Sequence, residues 1–426
     1  MKNISIDHIT KVEGHGKLNV NLKEGKVESV EVNIFEGARY FEALVLGRNF
    51  RDVPEVTSRI CGICSQSHLL CAIQALEKAL DVKVTKQTQQ LRELMMLAHI
   101  MQSHVLHLYF LALPDYLGYD SALQMASKHK NHVLRGLKLK KFSNWITTMI
   151  GGREIHSIRP VVGGFTRLPS QDDIKEMHKA FKEIKPDIEK TINLFKGLKY
   201  PKFERDTQYV AIRNNNTINY LKGDLICSSK KKCVPGRYHS CIKEEVVDYS
   251  NTKCVTFDGK EFLVGALARV NVNKTLLSKN TKSILSKLKV KFPSKNPYHN
   301  NLAQAVELMD FYDKSVSILS QLKVKEEEPA KVKPKAGKGV SIIEAPRGLL
   351  FHEYHLDAKG NIKKANIIAP TTQNIKNIEE DIKVLLPELM KKTKNEKKLA
   401  HEMEVLIRAY DPCISCSTHF LELNID

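Results

Sequence analysis

Apolar and polar residues alternate along the first part of the chain, between residues 4 and 34. Gly16 and Gly25 interrupt the alternation and separate its runs. Because successive side chains of a strand point to opposite faces, this pattern predicts a small antiparallel sheet.

Helical spacing of apolar residues replaces the alternation after residue 40. The stretch 87–112 is apolar nearly all round, which predicts a buried central helix that ends at Pro114 and Asp115. Further helices are predicted at 41–47, 64–80, 123–149 and, as one helix or a pair, 171–197.

The second half mixes both patterns. Residues 200–290 favour strands, and the charged stretch 323–339 holds prolines and glycines that indicate a surface loop. Helices are predicted at 300–322 and 375–408, with a hairpin formed by 342–355 and 361–369.

These elements predict one large domain of the α+β class, predominantly helical, with a central buried helix bundle and small antiparallel β-sheets. Its predicted parts are an N-terminal β region (1–40), a helical core (41–199), a β-rich insertion (200–290) and a C-terminal helical and β part (300–426).

The composition is that of a globular protein. Of the 426 residues, 42% are hydrophobic and 27% are charged. No uninterrupted apolar run reaches the ~18 residues that a membrane span needs. Residues 1–10 lack a basic region followed by an apolar one, so we expect no Sec-type signal and a cytoplasmic location. Nine cysteines without such a signal indicate a reducing compartment and free thiols.

The formal net charge of +19 raises the possibility of nucleic-acid binding. The lysines are spread along the chain, aromatic residues are only 7%, and no nucleic-acid motif accompanies the charge. We therefore expect no nucleic-acid partner, and a basic surface that is solvated or that docks acidic proteins.

Two cysteine pairs stand at opposite ends of the chain. Cys61 and Cys64 precede His68, and Cys413 and Cys416 precede His419. Cysteines three residues apart point the same way on a turn, so the two thiolates of each pair can bind one soft metal ion. A structural zinc site is the alternative, but a zinc ribbon closes a short loop, whereas these pairs span the chain.

The sequences R-x-C-G-x-C and D-P-C-x-x-C, each followed by a histidine, resemble the large subunit of the nickel-iron hydrogenases. Residues 12–15, 345–348 and 370–372 extend the resemblance over nearly the whole chain. Residues 106–109, 264–266 and 300–305 look most like the cytosolic bidirectional branch, near the alpha subunit of the sulfhydrogenase or NADP-linked type.

The resemblance implies the large-subunit fold and reversible heterolytic oxidation of H2. It implies that Cys61 and Cys413 are terminal ligands of nickel. Cys64 and Cys416 would bridge nickel to an iron that carries CO and cyanide.

Further roles follow from the same resemblance. Glu13 would relay protons, and Arg347 would lie over the open face, where a pKa above ~12 favours electrostatic positioning over a role as base. Thr371 would donate a hydrogen bond to cyanide. Magnesium would be bound by Glu42, His419 and a backbone carbonyl near Ile367.

His68 would contact a bridging thiolate, and His104, His156 and Asp411 would lie behind the ligands. In one respect the chain departs from the family, because Ser103 stands where many respiratory members have an aspartate.

The four signature cysteines leave no ligands for an iron-sulfur cluster. The implied partners are a small subunit with iron-sulfur clusters, further flavin or NAD(P) subunits, maturation proteins and an endopeptidase that removes residues 420–426. A non-catalytic relative of the quinone-reductase core subunit is disfavoured, because such proteins lack the metal cysteines. The spacings among Cys227, Cys233, Cys241 and Cys254 match no zinc pattern.

Overall fold

The computed structural model describes residues 4–37, 40–215 and 217–418. The predicted magnesium ligand His419 and the predicted tail 420–426 lie outside these residues. The predominantly helical α+β architecture with small sheets is confirmed.

The N-terminal sheet has three antiparallel strands in the order β1–β2–β3, as the alternation predicted. Their buried side chains include Leu18 and Val20, and Val20 lies opposite Val30. The strands are β1 (Ile4–Ile6), β2 (Gly16–Lys23) and β3 (Lys26–Ile34).

Helices dominate the next part of the chain, and 171–197 is one helix. Its N-terminus is a capping box between Ser170 and Asp173, which satisfies backbone amides that have no partner within the helix. The helices are α1 (Phe41–Leu44), α2 (Val53–Ser58), α3 (Ser65–Leu80), α4 (Lys86–Leu106), α5 (Leu113–Leu117), α6 (Ala122–Gly151) and α7 (Gln171–Gly197). A short hairpin of β4 (Pro160–Val161) and β5 (Gly164–Phe165) precedes α7.

The central helix is longer than predicted. A π-helical segment, His107–Ala112, joins α4 to α5, and the helical path continues to Leu117. Pro114 does not end it because it lies in the first turn of α5, where a missing N–H is tolerated. The stretch Lys86–Leu117 is long and apolar enough to cross a membrane, but 83% of its most apolar window is buried inside the protein, as in a core helix.

The region 200–290 begins as predicted but ends differently. β11 pairs in parallel with β6 in the four-stranded order β11–β6–β7–β8, and β9 pairs with β10. The prediction of strands is wrong for its last part, which is helical. The elements are β6 (Gln208–Arg213), β7 (Asp224–Cys227), β8 (Lys232–Cys233), β9 (Ile242–Glu245), β10 (Cys254–Phe257), β11 (Phe262–Leu263), α8 (Ala266–Asn273) and α9 (Lys279–Ser286).

The C-terminal part contains a three-stranded sheet instead of the predicted hairpin. Its first strand begins inside the predicted loop. A Cβ at Gly337 would lie 2.1 Å from the carbonyl of Ala79, and one at Gly339 would lie 1.9 Å from that of Ala75, so these glycines let α3 pack on the strand. The elements are α10 (Asn300–Gln321), β12 (Gly337–Ala345), β13 (Gly348–Leu356), β14 (Ile362–Ile368), α11 (Pro370–Lys392), α12 (Glu396–Ala409) and α13 (Ile414–Ser417).

Candidate metal centre

Two short loops carry the four signature cysteines into the core. Cys61 lies between α2 and α3, and Cys64 is the N-terminal cap residue of α3. Cys413 caps α13, a four-residue helix that contains Cys416. Each pair therefore lies at the start of a helix, where residues three apart face the same way.

The four sulfur atoms converge. Their Sγ atoms all lie within 4.8 Å of one another, and each residue is buried. The Sγ of Cys413 lies 3.4 Å from that of Cys61, 3.8 Å from that of Cys64 and 3.1 Å from that of Cys416. The predicted four-thiolate site is thus formed by residues from both ends of the chain.

Burial makes the cluster a poor place for unbalanced negative charge. Hydrogen bonding with Cys413 lowers the pKa of Cys61, whereas burial raises the pKa of Cys413 and of Cys416. Four thiolates together need a cation, and a donor set made only of sulfur fits a soft metal ion.

Glu13 is hydrogen-bonded to the loop that contains Cys413 and Cys416. Its carboxylate accepts hydrogen bonds from the backbone N–H of Ser415, at 3.0 Å, and from the Ser415 hydroxyl. Its backbone carbonyl accepts from the N–H of Ile414 at 2.9 Å. Gly14, at φ +86°, permits this approach, because a Cβ there would lie 2.7 Å from Cβ of Ile414.

Arg347 lies beside the cluster, fully buried. Its Nε donates to the carboxylate of Asp411 at 3.0 Å and to the Asp411 carbonyl at 2.7 Å. Its Nη1 lies 3.4 Å from Sγ of Cys64 and 3.2 Å from Oγ of Ser103. Burial opposes the charge, but Asp411 and the cysteines outweigh it and hold the guanidinium pKa well above its usual value. The hydroxyl Oγ1 of Thr371 accepts a hydrogen bond from the backbone N–H of Cys413 at 2.8 Å.

The predicted magnesium residues are only partly described. Glu42 is buried, and its Oε1 accepts a hydrogen bond from the backbone N–H of Ile367 at 2.6 Å. Burial raises the pKa of Glu42 to about 7, against the opposing effect of Lys253. The two residues are thus together, while the third ligand, His419, lies outside the described residues.

The predicted histidines divide between two buried networks. His68 and His352 approach within 3.1 Å, and His352 lies 2.6 Å from the hydroxyl of Tyr354. His104 lies 2.9 Å from the carboxylate of Glu307, which also pairs with Arg269.

His156 lies farther out and is half-buried, with Nδ1 at 3.1 Å from the Ser58 carbonyl.

Sequence reasoning assigned no role to several buried polar residues around the site. Arg269 donates to the carbonyls of Ala345 and Pro346, just before Arg347, and so holds that loop. Gln304 donates to Asp411 at 3.0 Å. Both lie in or near segments that carried the family resemblance, but only the tertiary contacts show what they touch.

The other cysteines form no such cluster among the described residues. Cys233 and Cys241 are joined by a disulfide, so the expectation of free thiols is wrong for this pair. Cys227 and Cys254 are buried free thiols. Burial raises the pKa of Cys71 to about 12, as is usual for a thiol packed in an apolar core.

A family model described as nickel-dependent hydrogenase matches residues 39–131 and 196–419, which include both cysteine pairs. The chain belongs to this family. A second model, described as HoxL-like, matches residues 3–36.

Individual hydrogenases match almost the whole chain. Sulfhydrogenase 1 subunit alpha of Pyrococcus furiosus is 36% identical over 99% of this chain and 98% of its own length. Sulfhydrogenase 2 subunit alpha of the same organism is 34% identical over 99% of this chain and 100% of its own. The solved structure of an NAD+-reducing [NiFe]-hydrogenase in the H2-reduced state has the same fold, with a TM-score of 0.88 at 23% identity, covering 98% of this chain and 100% of that one.

This hydrogenase large subunit is therefore an oxidoreductase that acts on hydrogen, and the family match together with four cysteines positioned to bind a metal supports nickel and iron as its metals. Hydrogenase large subunits pair with small subunits. The alternatives of a structural zinc protein, a nucleic-acid-binding protein and a metal-free relative of the quinone-reductase core subunit are not favoured, because the family match includes all four cysteines.

Proposed function

We propose that this subunit catalyses reversible heterolytic cleavage of H2 with Cys61 and Cys413 as terminal nickel ligands. Cys64 and Cys416 would hold both the nickel and an iron that carries CO and cyanide. The observation that carries the proposal is the convergence of four buried Sγ atoms from both ends of the chain. When bound, the metals supply the Lewis acid that heterolysis of H2 requires.

Glu13 is proposed to carry the proton away from the site. It is half-buried, so it can reach both the cysteine loop and solvent. Its two contacts with Ser415 hold the carboxylate next to the loop that contains Cys413 and Cys416. A positioned carboxylate contributes about 10²–10⁴-fold to a proton-transfer step.

Arg347 is proposed to position and stabilise charge at the open face of the metals. A guanidinium whose pKa is held above its usual value is a poor base. Asp411 fixes its orientation through Nε. Thr371 accepts the amide of Cys413, which leaves its hydroxyl proton available for cyanide.

Glu42, the backbone of Ile367 and His419 are proposed to bind magnesium. The contact between Glu42 and Ile367 brings two of the three together, and oxygen donors suit this ion. Glu42→Gln should lower the magnesium content of the purified protein while the nickel content remains. A variant with full magnesium would exclude Glu42 as a ligand.

Electrons are proposed to leave at the surface next to the first cysteine loop, called the exit face here. Gly62 is exposed there, and the exposed residues Leu137 and Ile155 lie close by, because Leu137 lines the same surface depression as Glu154. Gln66 lies two residues after Cys64 and donates a hydrogen bond to the Glu154 carbonyl at 2.9 Å, so the segment that contains Glu154 packs against the cysteine loop. We propose that an iron-sulfur small subunit docks here.

The docking proposal has a matched pair of variants on one helix. Leu137→Asp introduces a charge on the exit face and should weaken co-purification of the small subunit. Leu123→Asp introduces the same charge in the first turn of α6, at a residue that is 87% exposed, and it should not weaken co-purification. Equal behaviour of the two variants would place the small subunit elsewhere.

Further partners are proposed from the relatives. One relative is the beta subunit of the NAD-reducing hydrogenase of Cupriavidus necator, 27% identical over 99% of this chain and 95% of its own length. We propose flavin or NAD(P) subunits in a cytoplasmic complex, and maturation by accessory proteins with an endopeptidase that removes residues 420–426. Mass spectrometry of the active complex tests the cleavage, since a large subunit that ends at Asp426 would contradict it.

The activity itself is tested by reduction of an artificial electron-accepting dye under H2. The chain purified with its partner subunits should reduce the dye under H2 and not under N2. A metal-replete complex that reduces no dye under H2 would contradict the proposed function.

A further inference from the structure

A second polar side chain contacts Asp411 through the carboxylate oxygen that Arg347 does not contact. Gln304, on α10, donates from Nε2 to Oδ2 of Asp411 at 3.0 Å. Its Oε1 lies 2.6 Å from Nδ1 of His107, the first residue of the π-helical segment. Both Gln304 and His107 are buried. Asp411 is thus held between the guanidinium of Arg347 and a glutamine–histidine pair.

The contact of Nε2, the other ring nitrogen of His107, determines the position of one ring proton. Its Nε2 lies 2.8 Å from the carbonyl oxygen of Arg408, and a carbonyl oxygen only accepts hydrogen bonds. Nε2 must therefore carry hydrogen. A neutral imidazole would then have a bare Nδ1, which would need a donor as its partner.

Gln304 cannot supply that donor without breaking its bond to Asp411. Rotating the amide would turn Nε2 toward His107 and turn Oε1 toward Oδ2 of Asp411, an oxygen that also only accepts. Asp411 faces the guanidinium of Arg347, whose Nε and Nη2 lie 3.0 and 2.9 Å from its Oδ1, so this environment favours two acceptor oxygens on Asp411. The orientation that satisfies Asp411 leaves both nitrogens of His107 facing oxygen acceptors.

We propose that His107 is an imidazolium that, through Gln304, fixes the Asp411 carboxylate and hence Arg347, as a positioning residue that adds a positive charge behind the metal centre. Nδ1 of His107 lies 3.9 Å from Oδ2 of Asp411, close enough for substantial attraction in a buried site. The guanidinium of Arg408 contributes little, because it pairs with Asp115 at 2.6 Å.

Among Arg347, His107 and Asp411, the charges then sum to one surplus positive charge. Arg347 and His107 carry two positive charges, Asp411 carries one negative charge, and Ser103 beside Arg347 is neutral. The surplus lies behind Arg347, whose Nη1 is 3.4 Å from Sγ of Cys64. A fixed positive charge favours the more reduced forms of a bound metal. This consequence rests on the proposed function, whereas the protonation of His107 does not.

Neutron diffraction from crystals of the purified complex exchanged into D2O tests the protonation directly. We expect deuterium on both Nδ1 and Nε2 of His107, and the amide nitrogen of Gln304 facing Asp411. Deuterium on Nε2 alone would overturn the proposal whatever the activity of the complex.

A variant pair tests the consequence for the metals by redox titration of their spectroscopic signals. His107→Gln removes the charge and should shift the reduction potential to more negative values. His299→Gln is the control, because His299 is a largely buried histidine whose pKa is lowered by burial to about 4, so that it is neutral, and it bonds Ser294 instead of the site. Equal potentials in the two variants would overturn the electrostatic role. If His107→Gln fails to fold, the neutron result on the parent still decides the protonation.

Discussion

Two groups of four cysteines in this chain differ in whether their sulfur atoms come together. Cys61, Cys64, Cys413 and Cys416 meet in one buried cluster. Cys227, Cys233, Cys241 and Cys254 lie closer together in the sequence, yet they provide one disulfide and two separate thiols. Sequence proximity therefore predicts convergence less well than the position of each cysteine on its element.

The physical difference lies in where the cysteines stand. In the first group each pair opens a helix, so both sulfurs of a pair face one point. In the second group Cys227 and Cys254 lie on strands of two different sheets. Their sulfurs bond different neighbours, since Cys227 contacts Gln208 and Cys254 contacts Tyr249.

Exchange of one thiol for a hydroxyl in each group gives the largest contrast. Cys413→Ser should abolish H2-dependent dye reduction, because a hydroxyl is a poor ligand for a soft metal. Cys254→Ser should retain activity and metal content. Circular dichroism checks that both variants fold. Activity in Cys413→Ser at the parent level would remove the first group from the chemistry.

Carboxylates near the two groups provide the next contrast. Glu13→Gln keeps the volume and removes the titratable group, so H2/D2O exchange should fall by about 10²-fold or more with the metals still bound. Glu379, which accepts from Tyr249 next to Cys254, is the matched residue, and Glu379→Gln should exchange at the parent rate. Parent-like exchange in Glu13→Gln would exclude Glu13 from the proton path.

Removal of the disulfide should affect stability and leave the chemistry unchanged. The double variant Cys233→Ser and Cys241→Ser opens a short loop, for which chain-entropy arguments give about 2.5 kcal/mol. We expect denaturant unfolding at lower concentration, with unchanged nickel content. Cys227→Ser is the control for loss of a thiol alone. Loss of nickel from the double variant would show that the two groups are coupled.

A pH effect of smaller size should arise where the insertion meets β13. Burial of Glu353 opposes its ionisation, but hydrogen bonds from His355, Lys338 and His239 outweigh it and lower its pKa from 4.5 to about 2. The ionised carboxylate therefore stabilises the fold above about pH 4.5, and this contribution is lost as pH falls toward 2.

Thermal unfolding followed between pH 5 and pH 2.5 checks this effect. Glu353→Gln should be less stable than the parent at pH 5, and the difference should shrink as the pH falls. A difference that stays constant across this range would contradict the assignment.

The sequence predicted the features that depend on local pattern or on paired motifs. The alternation from Ile4 to Ile34 and the helix 171–197 are present, and the four signature cysteines converge. The prediction of a surface loop up to residue 339 is wrong at Gly337 and Gly339, because a glycine in a loop and a glycine that packs under a helix cannot be distinguished in the sequence. The same holds for Pro114, which is tolerated in the first turn of a helix.

Long-range polar contacts were beyond local pattern. Gln304 and Asp411 are separated by 107 positions, and His107 and Gln304 by 197, so no periodicity relates them. The pairing of Cys233 with Cys241 depends on the turn between β8 and β9, which spacing alone does not specify. Such contacts become visible only when the fold is known.

Metal analysis of the purified complex tests the central claim, that residues from the two ends of this chain form a nickel-iron site. The complex is measured beside one that carries Cys413→Ser, with metals assigned per large subunit after subtraction of the partner's iron-sulfur iron. We predict nickel and iron in equal amounts in the parent and loss of nickel from the variant. Zinc alone at the four cysteines, retained without any nickel in an H2-active preparation, would contradict the account.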